Sequence, residues 1–284
     1  MNANELTMGI ELEVIIPRET AQREHLNIGS YHSSGIQVPF LPQGWVAKSD
    51  SSVSAPAGYI GCEFVSPILK GEEGIKQVIE VVRILREKNC KVNFSTGTHI
   101  HVNFNPEWCS EKLARLVCIA SYLEKGIYAT TGSKRREQGT YCQSVRRYGN
   151  QSEAKKCMSP NRYHFLNIHN LAQRTKDTVE FRAFSGSLNE TKIVGWIQLC
   201  LGVVEKALNT KRLPKWTPSK AKCFWAKEGE GQTELSRMLS YLGWSTGYAK
   251  NIEGRVYGII TDIIPLNEIK KEFRRLAKKY DSEQ

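Results

Sequence analysis

The stretch Gly9-Ile10-Glu11-Leu12-Glu13-Val14 decides the fold of this chain. Its apolar residues alternate with two glutamates, and successive side chains on a strand point to opposite faces of a sheet. We therefore expect the apolar residues to point into a core, while Glu11 and Glu13 point to the other face. The stretch predicts a strand with one core face and one charged face.

The same two-residue spacing recurs twice further along the chain. His99 and His101 alternate with apolar residues in Gly97-Thr98-His99-Ile100-His101-Val102, and Glu180 and Arg182 do so in Val179-Glu180-Phe181-Arg182. Three strands that each present a charged or ligating pair on one face predict a sheet with a chemically active surface.

Hydrophobic patterning predicts the other elements. Strand patterns cover residues 7–16, 60–65, 92–105, 163–168 and 178–184. Helical spacing covers residues 72–89, a segment starting near 110, and residues 191–208, 233–242 and 266–280. Segments 20–58 and 130–160 have the composition of long loops. This irregular alternation predicts an α+β fold, a mainly antiparallel sheet with helices packed on one face.

The bulk composition fits a globular protein with a substantial core. The chain has 284 residues, of which 40% are hydrophobic and 24% charged. It lacks the pattern of a signal peptide and any apolar run of membrane-spanning length, so we expect a cytoplasmic protein without a membrane partner. The eight cysteines form no C-x-x-C pair, which predicts reduced core thiols rather than a zinc knuckle.

The formal net charge is +11, which favours anionic partners such as nucleotide phosphates, an acidic substrate or nucleic acid. Basic clusters occur at Lys134-Arg135-Arg136, at Arg146-Arg147 and between Lys270 and Lys279. A single cluster of this kind is most often only a solvated face. Charge alone therefore does not select a partner.

The paired residues have the chemistry of a metal site. Same-face neighbours on a strand lie roughly 6.5 Å apart, so two carboxylates can reach shared or adjacent cations. Glu63 adds a carboxylate on the apolar strand at 60–65, and Glu180 adds another. Carboxylates with an imidazole suit Mg²⁺ or Mn²⁺, and two such ions can clamp a phosphoryl group. Each motif alone is commonly an ordinary solvent face or ion pair; together they favour a metal site.

The order of these motifs resembles the amidoligase family of the glutamine synthetase-like carboxylate–amine ligases. The motifs are Glu11 and Glu13 in the first strand, Asp50-Ser51-Ser52, the Glu63 strand ending at Pro67, the His99–His101 strand, Arg162-Tyr163 with Asn167, and the Glu180–Arg182 strand. The resemblance covers roughly residues 7–210. One departure is that Ser51-Ser52 replaces the more usual Gly-Ser after the aspartate.

The resemblance implies a glutamine synthetase-like antiparallel sheet whose concave face holds Mg²⁺–ATP. The residues that it would place on two or more Mg²⁺ or Mn²⁺ ions are Glu11, Glu13, Glu63, His99 and Glu180. Glu11 and Glu13 would each serve a different ion. His101 would face the nucleotide phosphates or the substrate rather than a metal, and Arg162 and Arg182 would contact phosphate or the acyl-phosphate intermediate. Asp50 would orient the attacking amine or act as a base.

The implied reaction is an ADP-forming ligation. ATP would phosphorylate a carboxylate, and an amine of a small molecule, peptide or protein side chain would then displace phosphate to form an amide. The basic loop at 130–160 is expected to cover the nucleotide or an acidic substrate, with a plain solvated loop as the alternative. The expected domains are a catalytic domain at 1–212 and an aromatic, helical C-terminal extension or subdomain at 213–284.

Three alternatives compete with this interpretation. A cupin-type metal enzyme would use His-x-His, but Glu107 follows His101 by six residues and no later histidine has a clear strand position, so we reject it. A phosphotransferase of the guanidino-kinase kind would share the fold and release a stable phosphorylated product. A non-catalytic nucleic-acid-binding protein would use the basic C-terminal helix, and its binding would depend steeply on salt.

Overall fold

A computed structural model describes residues 1–105, 107, 109–145, 162–214, 220–245, 255–259 and 261–283, and its centre is one eight-stranded sheet. The strands are β1 (Thr7–Pro17), β2 (Ile36–Gln37), β3 (Val46–Lys48), β4 (Tyr59–Val65), β5 (Leu69–Lys70), β6 (Gly97–Asn103), β7 (Leu166–Asn167) and β8 (Thr178–Ser185). Their order is β2-β3-β4-β1-β6-β8-β7, and β5 pairs with the first residues of β1. All ladders between these strands are antiparallel.

Helices cover one face of this sheet. The described helices of the whole chain, including α4 beside the open face, are α1 (Arg18–Arg23), α2 (Gly71–Glu87), α3 (Cys109–Ala129), α4 (Arg135–Gln138), α5 (His169–Ala172), α6 (Glu190–Asn209), α7 (Glu234–Tyr241) and α8 (Leu266–Ser282). Short 3₁₀ turns occur at Ala3–Glu5 and Thr140–Cys142. Helix α6 contacts β6 and also packs against α2, α3 and α8. The predicted α+β fold, with helices on one face of an antiparallel sheet, is confirmed.

The alternation in β1 decides which face is the core. Ile10, Val14 and Ile16 are fully inaccessible to solvent, and Leu12 is 1% exposed. Each such side chain contributes roughly 1.5–3 kcal/mol by leaving water. Because these residues point toward the helices, the intervening residues of β1 point to the open face of the sheet. The predicted division into a core face and a charged face is confirmed.

Some predicted element boundaries are wrong for local reasons. The predicted strand at 92–105 begins only at Gly97, because Asn93 and Thr96 form a hydrogen-bonded turn before it. The predicted strand at 163–168 contracts to β7. Helices α1 and α4 lie in segments predicted to be loops. Both are short, so neither shows the sustained apolar periodicity that marks a helix in sequence.

The C-terminal segment contributes to the same hydrophobic core as the sheet and helices before it. The Trp244 indole Nε1 donates a hydrogen bond to the Tyr257 carbonyl oxygen at 2.6 Å. The Trp244 ring stacks on the Phe273 ring of α8. The boundary at 212/213 stays a prediction, and Trp216 lies outside the described residues. Within the described ranges, each helix is too short or too polar to cross a lipid bilayer.

The cysteines that have described side chains are free and buried. They are Cys62, Cys90, Cys118, Cys142, Cys200 and Cys223. The prediction of reduced core thiols is confirmed for these six.

Candidate active site

Strand register brings the three sequence motifs together. The cross-strand partners are Glu11 with His99, Glu13 with Glu63, and His101 with Glu180. Directly opposed residues share a face and lie close enough for their side chains to interact. Residues that lie far apart in sequence, by 88 positions for Glu11 and His99, therefore become neighbours on the open face of the sheet.

A bulge in β8 sets the position of its charged pair. Thr98 pairs with Phe184 and Ile100 pairs with Phe181, so β8 has one more residue than β6 across this interval. Bulges of this kind redirect side chains and are common beside active sites. Arg182 lies within the bulge and donates a hydrogen bond from Nη1 to Glu180 Oε1.

His99 and His101 lie among carboxylates. His99 Nδ1 lies 3.2 Å from Glu11 Oε2 and 3.6 Å from Glu180 Oε1, while its Nε2 lies 3.5 Å from Glu13 Oε1. His101 Nε2 lies 2.9 Å from Glu11 Oε1. An imidazolium offers only two N–H groups, so two histidines cannot satisfy this many carboxylate oxygens. The arrangement leaves acceptor oxygens available for cations.

Three groups among the described residues have the geometry to hold a metal ion. The groups are Glu13, Asp50 and Glu63; Glu11, Glu63 and His99; and Glu11, His101 and Glu180. Each residue supplies one ligand atom, and these atoms lie within 4.8 Å of one another within each group. These sets are rich in oxygen, two of them include an imidazole, and such ligands match the preferences of Mg²⁺ and Mn²⁺.

Glu63 shows the strongest need for a cation. Burial, together with the negative charges of Glu11, Glu13 and Asp50, raises the pKa of its carboxyl to about 9, against a smaller opposing effect of Lys48. The side chain is only 8% exposed. At neutral pH this carboxyl is therefore protonated until a cation replaces the proton.

At the other end of the site, neighbouring side chains of the protein offset the negative charges of Glu11 and Glu180. Burial acts to raise the pKa values of Glu11 and Glu180, but their interactions with His101 and His99 together act to lower both, and the net shift is downward. Arg182 also contributes to the lowering at Glu180. In return, Glu11 raises the pKa of His101 despite that residue's burial. The carboxyl group left without such compensation is that of Glu63.

The site opens into a cavity of about 880 Å³ that all the predicted site residues line. Asp50 enters from the loop after β3, and its Oδ1 accepts a hydrogen bond from the Ser52 backbone N–H at 2.7 Å. This Asx-type turn forms with serines in place of the more usual Gly-Ser.

Arg162 lies among aromatic rings; its Nη2 donates to the Tyr31 hydroxyl at 2.9 Å, and its guanidinium faces the Tyr163 ring. Arg162 is thus set among rings, whereas Arg182 bonds a carboxylate of the cluster.

Arg136 is a site residue that the sequence indicated only as a member of a basic cluster in a loop expected to cover the site. Its Nη2 donates to the Arg182 carbonyl oxygen at 2.7 Å, and its buried Nε has no hydrogen-bond partner among the described residues. A Cβ at Gly97 would lie 3.0 Å from Arg136 Nη2 and 3.0 Å from His99 Nε2, so both groups flank this glycine. The basic cluster at 134–136 was a signal for this residue, but not for its position.

Lys48 and Asn167 also face the site through register. Lys48 pairs with Glu63 across β3 and β4, and Asn167 pairs with Glu180 across β7 and β8. Asn167 Nδ2 donates to Glu180 Oε2 at 2.7 Å. The sequence placed Asn167 in a motif without assigning it a role, and it placed Lys48 in no motif. Neither position in the site could be predicted, because strand pairing cannot be read from local sequence.

Helix α4 holds part of the basic loop at the cavity. Arg135 and Arg136 line it, and the Arg135 guanidinium lies 4.6 Å from the centre of the Phe94 ring. The C-terminal helix anchors α4, because the Tyr280 hydroxyl bonds to the Glu137 carboxylate. The predicted second cluster, Arg146-Arg147, lies outside the described residues.

Comparisons with known proteins agree with the resemblance seen in the sequence. The family model described as "Putative amidoligase enzyme" matches residues 4–161 and 146–204, well over half of the chain. A comparison with curated proteins gave no match. Among solved structures, one match is the "Crystal structure of the complex between Prokaryotic Ubiquitin-like Protein Pup and its Ligase PafA", with 13% identity and a TM-score of 0.41. That alignment covers 98% of this chain but only 64% of the other. From the family match, the chain belongs to the amidoligase family.

Proposed function

We propose that the chain is an ATP-dependent ligase that forms an amide through an acyl phosphate, with at least two divalent ions. The observation that carries this proposal is the cluster of carboxylates and imidazoles on the open face of the sheet, with arginines beside it. A raised pKa at Glu63 supports it, because unbalanced buried carboxylates are typical of sites that bind cations.

The donor sets divide into two ends of one site. Glu13 and Glu63 would hold an ion at the uncompensated end, and Glu11 with Glu180 would hold one at the other end. His99, between Glu11, Glu13 and Glu180, would act as a nitrogen ligand. Mg²⁺ at these positions would neutralise phosphate oxygens of ATP.

The arginines provide the positive charge for phosphoryl transfer. Arg182 already bonds the Glu180 carboxylate, and Arg136 has an unused buried donor beside it. The carboxylate oxygen of the substrate attacks the γ-phosphorus, and ADP leaves. These two guanidinium groups would stabilise the charge on the transferring phosphoryl oxygens. His101, bonded to Glu11, would contact the phosphates, and Arg162 with its neighbouring rings would bind the nucleotide farther out.

Asp50 is the proposed acceptor of the amine proton. The amine nitrogen attacks the acyl carbon, the bond to phosphate breaks, and the amine loses a proton. Asp50 lies beside Glu13 and Glu63, so it is within reach of a metal ligand role as well. An Asp50→Asn variant separates the two roles: a base would be needed for amide formation but not for acyl-phosphate formation, whereas a ligand would be needed for both.

The direct test is to incubate the chain with Mg²⁺–ATP and pooled carboxylates and amines. Release of ADP and phosphate, with a new product lighter by one water than its two reactants combined, supports the proposal. Release of AMP contradicts it, and a stable phosphorylated product indicates the phosphotransferase alternative. Glu11→Gln and Glu180→Gln should abolish turnover, while Glu80→Gln on the exposed side of α2 is the matched control.

A further inference from the structure

A second hollow, here called the apolar groove, adjoins the cavity. It has a volume of about 400 Å³ and lies along Gly9, Val65, Pro67, Ile68 and Thr178. Three side chains line both spaces, and these are Glu11, His101 and Lys176. The groove therefore reaches the same carboxylate and imidazole that form one end of the candidate active site.

Gly9 leaves the floor of the groove open. It lies in the interior of β1, on the same face as Glu11 and opposite His101. A Cβ at Gly9 would meet one atom within 4 Å, the His101 Cβ at 3.7 Å, which is an ordinary contact. Glycine weakens a strand interior and often marks close approach by a ligand. Packing does not require this glycine, so its absent side chain is best explained by the space above it.

The wall of the groove is apolar and open to solvent. Ile68 is 82% exposed, beside Pro67 in the connection from β4 to β5. One exposed isoleucine is ordinary on a protein surface. Here it forms one side of a groove that ends at the charged residues of the candidate active site. Apolar walls combined with a few charged groups are the usual composition of a site for a small organic ligand.

Lys176 supplies a cation where the groove meets the cavity. Within the described ranges, no carboxylate lies in ion-pair distance of its ammonium group, unlike Arg182, which is paired with Glu180. An ammonium group there can pair with the carboxylate of a ligand whose apolar part occupies the groove. The charge at the junction and the apolar walls thus match the two ends of an amphipathic acid.

We propose that the apolar groove binds the carboxylate substrate, with its apolar body along Gly9 and Ile68 and its carboxylate at Lys176. This inference rests on the proposed ligase function. The nucleotide fits the groove less well, because the rings of Tyr31 and Tyr163 with Arg162 offer stacking and phosphate contacts elsewhere in the cavity. The substrate class is an organic acid with an apolar chain or side chain, such as a hydrophobic amino acid or a medium-length acyl group.

The test compares hexanoate with acetate as probes. Binding of each acid to the full chain with Mg²⁺ and a non-hydrolysable ATP analogue is measured by ligand-observed NMR titration. Each buried methylene strengthens binding roughly fourfold, so we expect hexanoate to bind at least tenfold more tightly than acetate. Gly9→Ala should weaken the binding of hexanoate about fivefold. It should change the affinities for acetate and for the ATP analogue by less than about twofold. Ile68→Asn, at an exposed position, should do the same without affecting folding, and Lys176→Gln should weaken both acids.

The outcomes separate this inference from the proposed function. Equal binding of the two acids, or a Gly9→Ala variant that weakens only the ATP analogue, would overturn the inference. A parallel assay supplies ATP with hydroxylamine as the amine, which converts an acyl phosphate to a hydroxamate with release of phosphate. Hexanoate that binds in the groove but yields neither ADP nor hydroxamate refutes the ligase function and leaves the groove assignment intact. If hydroxamate forms equally well from acetate and from hexanoate, the ligase function is supported and the groove assignment is refuted.

Discussion

Replacing Glu63 with glutamine should stabilise the metal-free protein and weaken its response to Mg²⁺. The carboxyl has a pKa of about 9 in the fold against an ordinary value of 4.5. Between these values the folded chain holds a proton that the unfolded chain has lost, so stability falls as pH rises. At pH 7, which is about 2.5 units above 4.5, this amounts to about 3 kcal/mol. Glutamine has a similar shape and carries no ionisable proton.

The assay is thermal unfolding of both proteins in EDTA and in excess Mg²⁺, between pH 5.5 and 8.5. In EDTA at pH 7, Glu63→Gln should unfold on the order of 5 °C above the wild type, and the gap should widen as pH rises. In Mg²⁺ the order should reverse, because the ion stabilises the wild type by displacing the proton of Glu63. The Glu80→Gln variant controls for the loss of a carboxylate as such.

Two results would refute this reasoning. An equal melting temperature for both proteins in EDTA at every pH would mean that Glu63 is not held protonated by burial and its acidic neighbours. An unchanged Mg²⁺ response in Glu63→Gln would mean that this carboxylate does not bind the ion. The first result concerns the electrostatics of the fold, and the second concerns the metal site, so each can fail alone.

Three further predictions concern other parts of the site. Arg136→Gln should lower ATP turnover on the order of a hundredfold with little change in unfolding midpoint; an unchanged turnover number in steady-state kinetics would remove Arg136 from the mechanism. Tyr280→Phe removes the hydrogen bond to Glu137 and should lower the free energy of unfolding by about 1–2 kcal/mol in urea titrations. It should also reduce turnover, because α4 carries Arg136; full activity at reduced stability would show that the anchor has only a structural role. Finally, the lowered pKa values of Glu11 and Glu180 mean that their contribution to stability is present above pH 4.5 and is lost as pH falls below it. Acid titration in EDTA should therefore show a shallower loss for Glu180→Gln, and an unaltered acid transition would contradict the pairing with His101 and Arg182.

Local periodicity made the sheet predictable. The alternation around Glu11 and Glu13 is visible within six residues, and it dictated which face of β1 is core. The same holds for the amphipathic helices α2 and α8, whose apolar positions recur at helical spacing. These features depend on residues that are close in sequence, so they can be predicted without knowledge of the tertiary structure.

Partners across strands could not be predicted in the same way. That Glu13 faces Glu63, and that Asp50 approaches both, depends on strand order and on the path of the loop before β4. Arg136 reaches the site from a four-residue helix that has no periodic signal. Gly9 was visible as the first residue of the decisive stretch, but only the surrounding walls show that its missing side chain opens a groove.

The pairing of β1 with both β4 and β6 ties the site to the folding of the chain. A slip of one residue in a strand moves every side chain to the opposite face. For β1, such a slip would bring Glu11 and Glu13 into the layer that now holds Ile10 and Leu12, beneath the helices. Divalent ions bound across the correct register would oppose this error, since misaligned strands cannot assemble the ligands. The acidic cluster would then act as a selector of strand alignment during folding, before any substrate is bound.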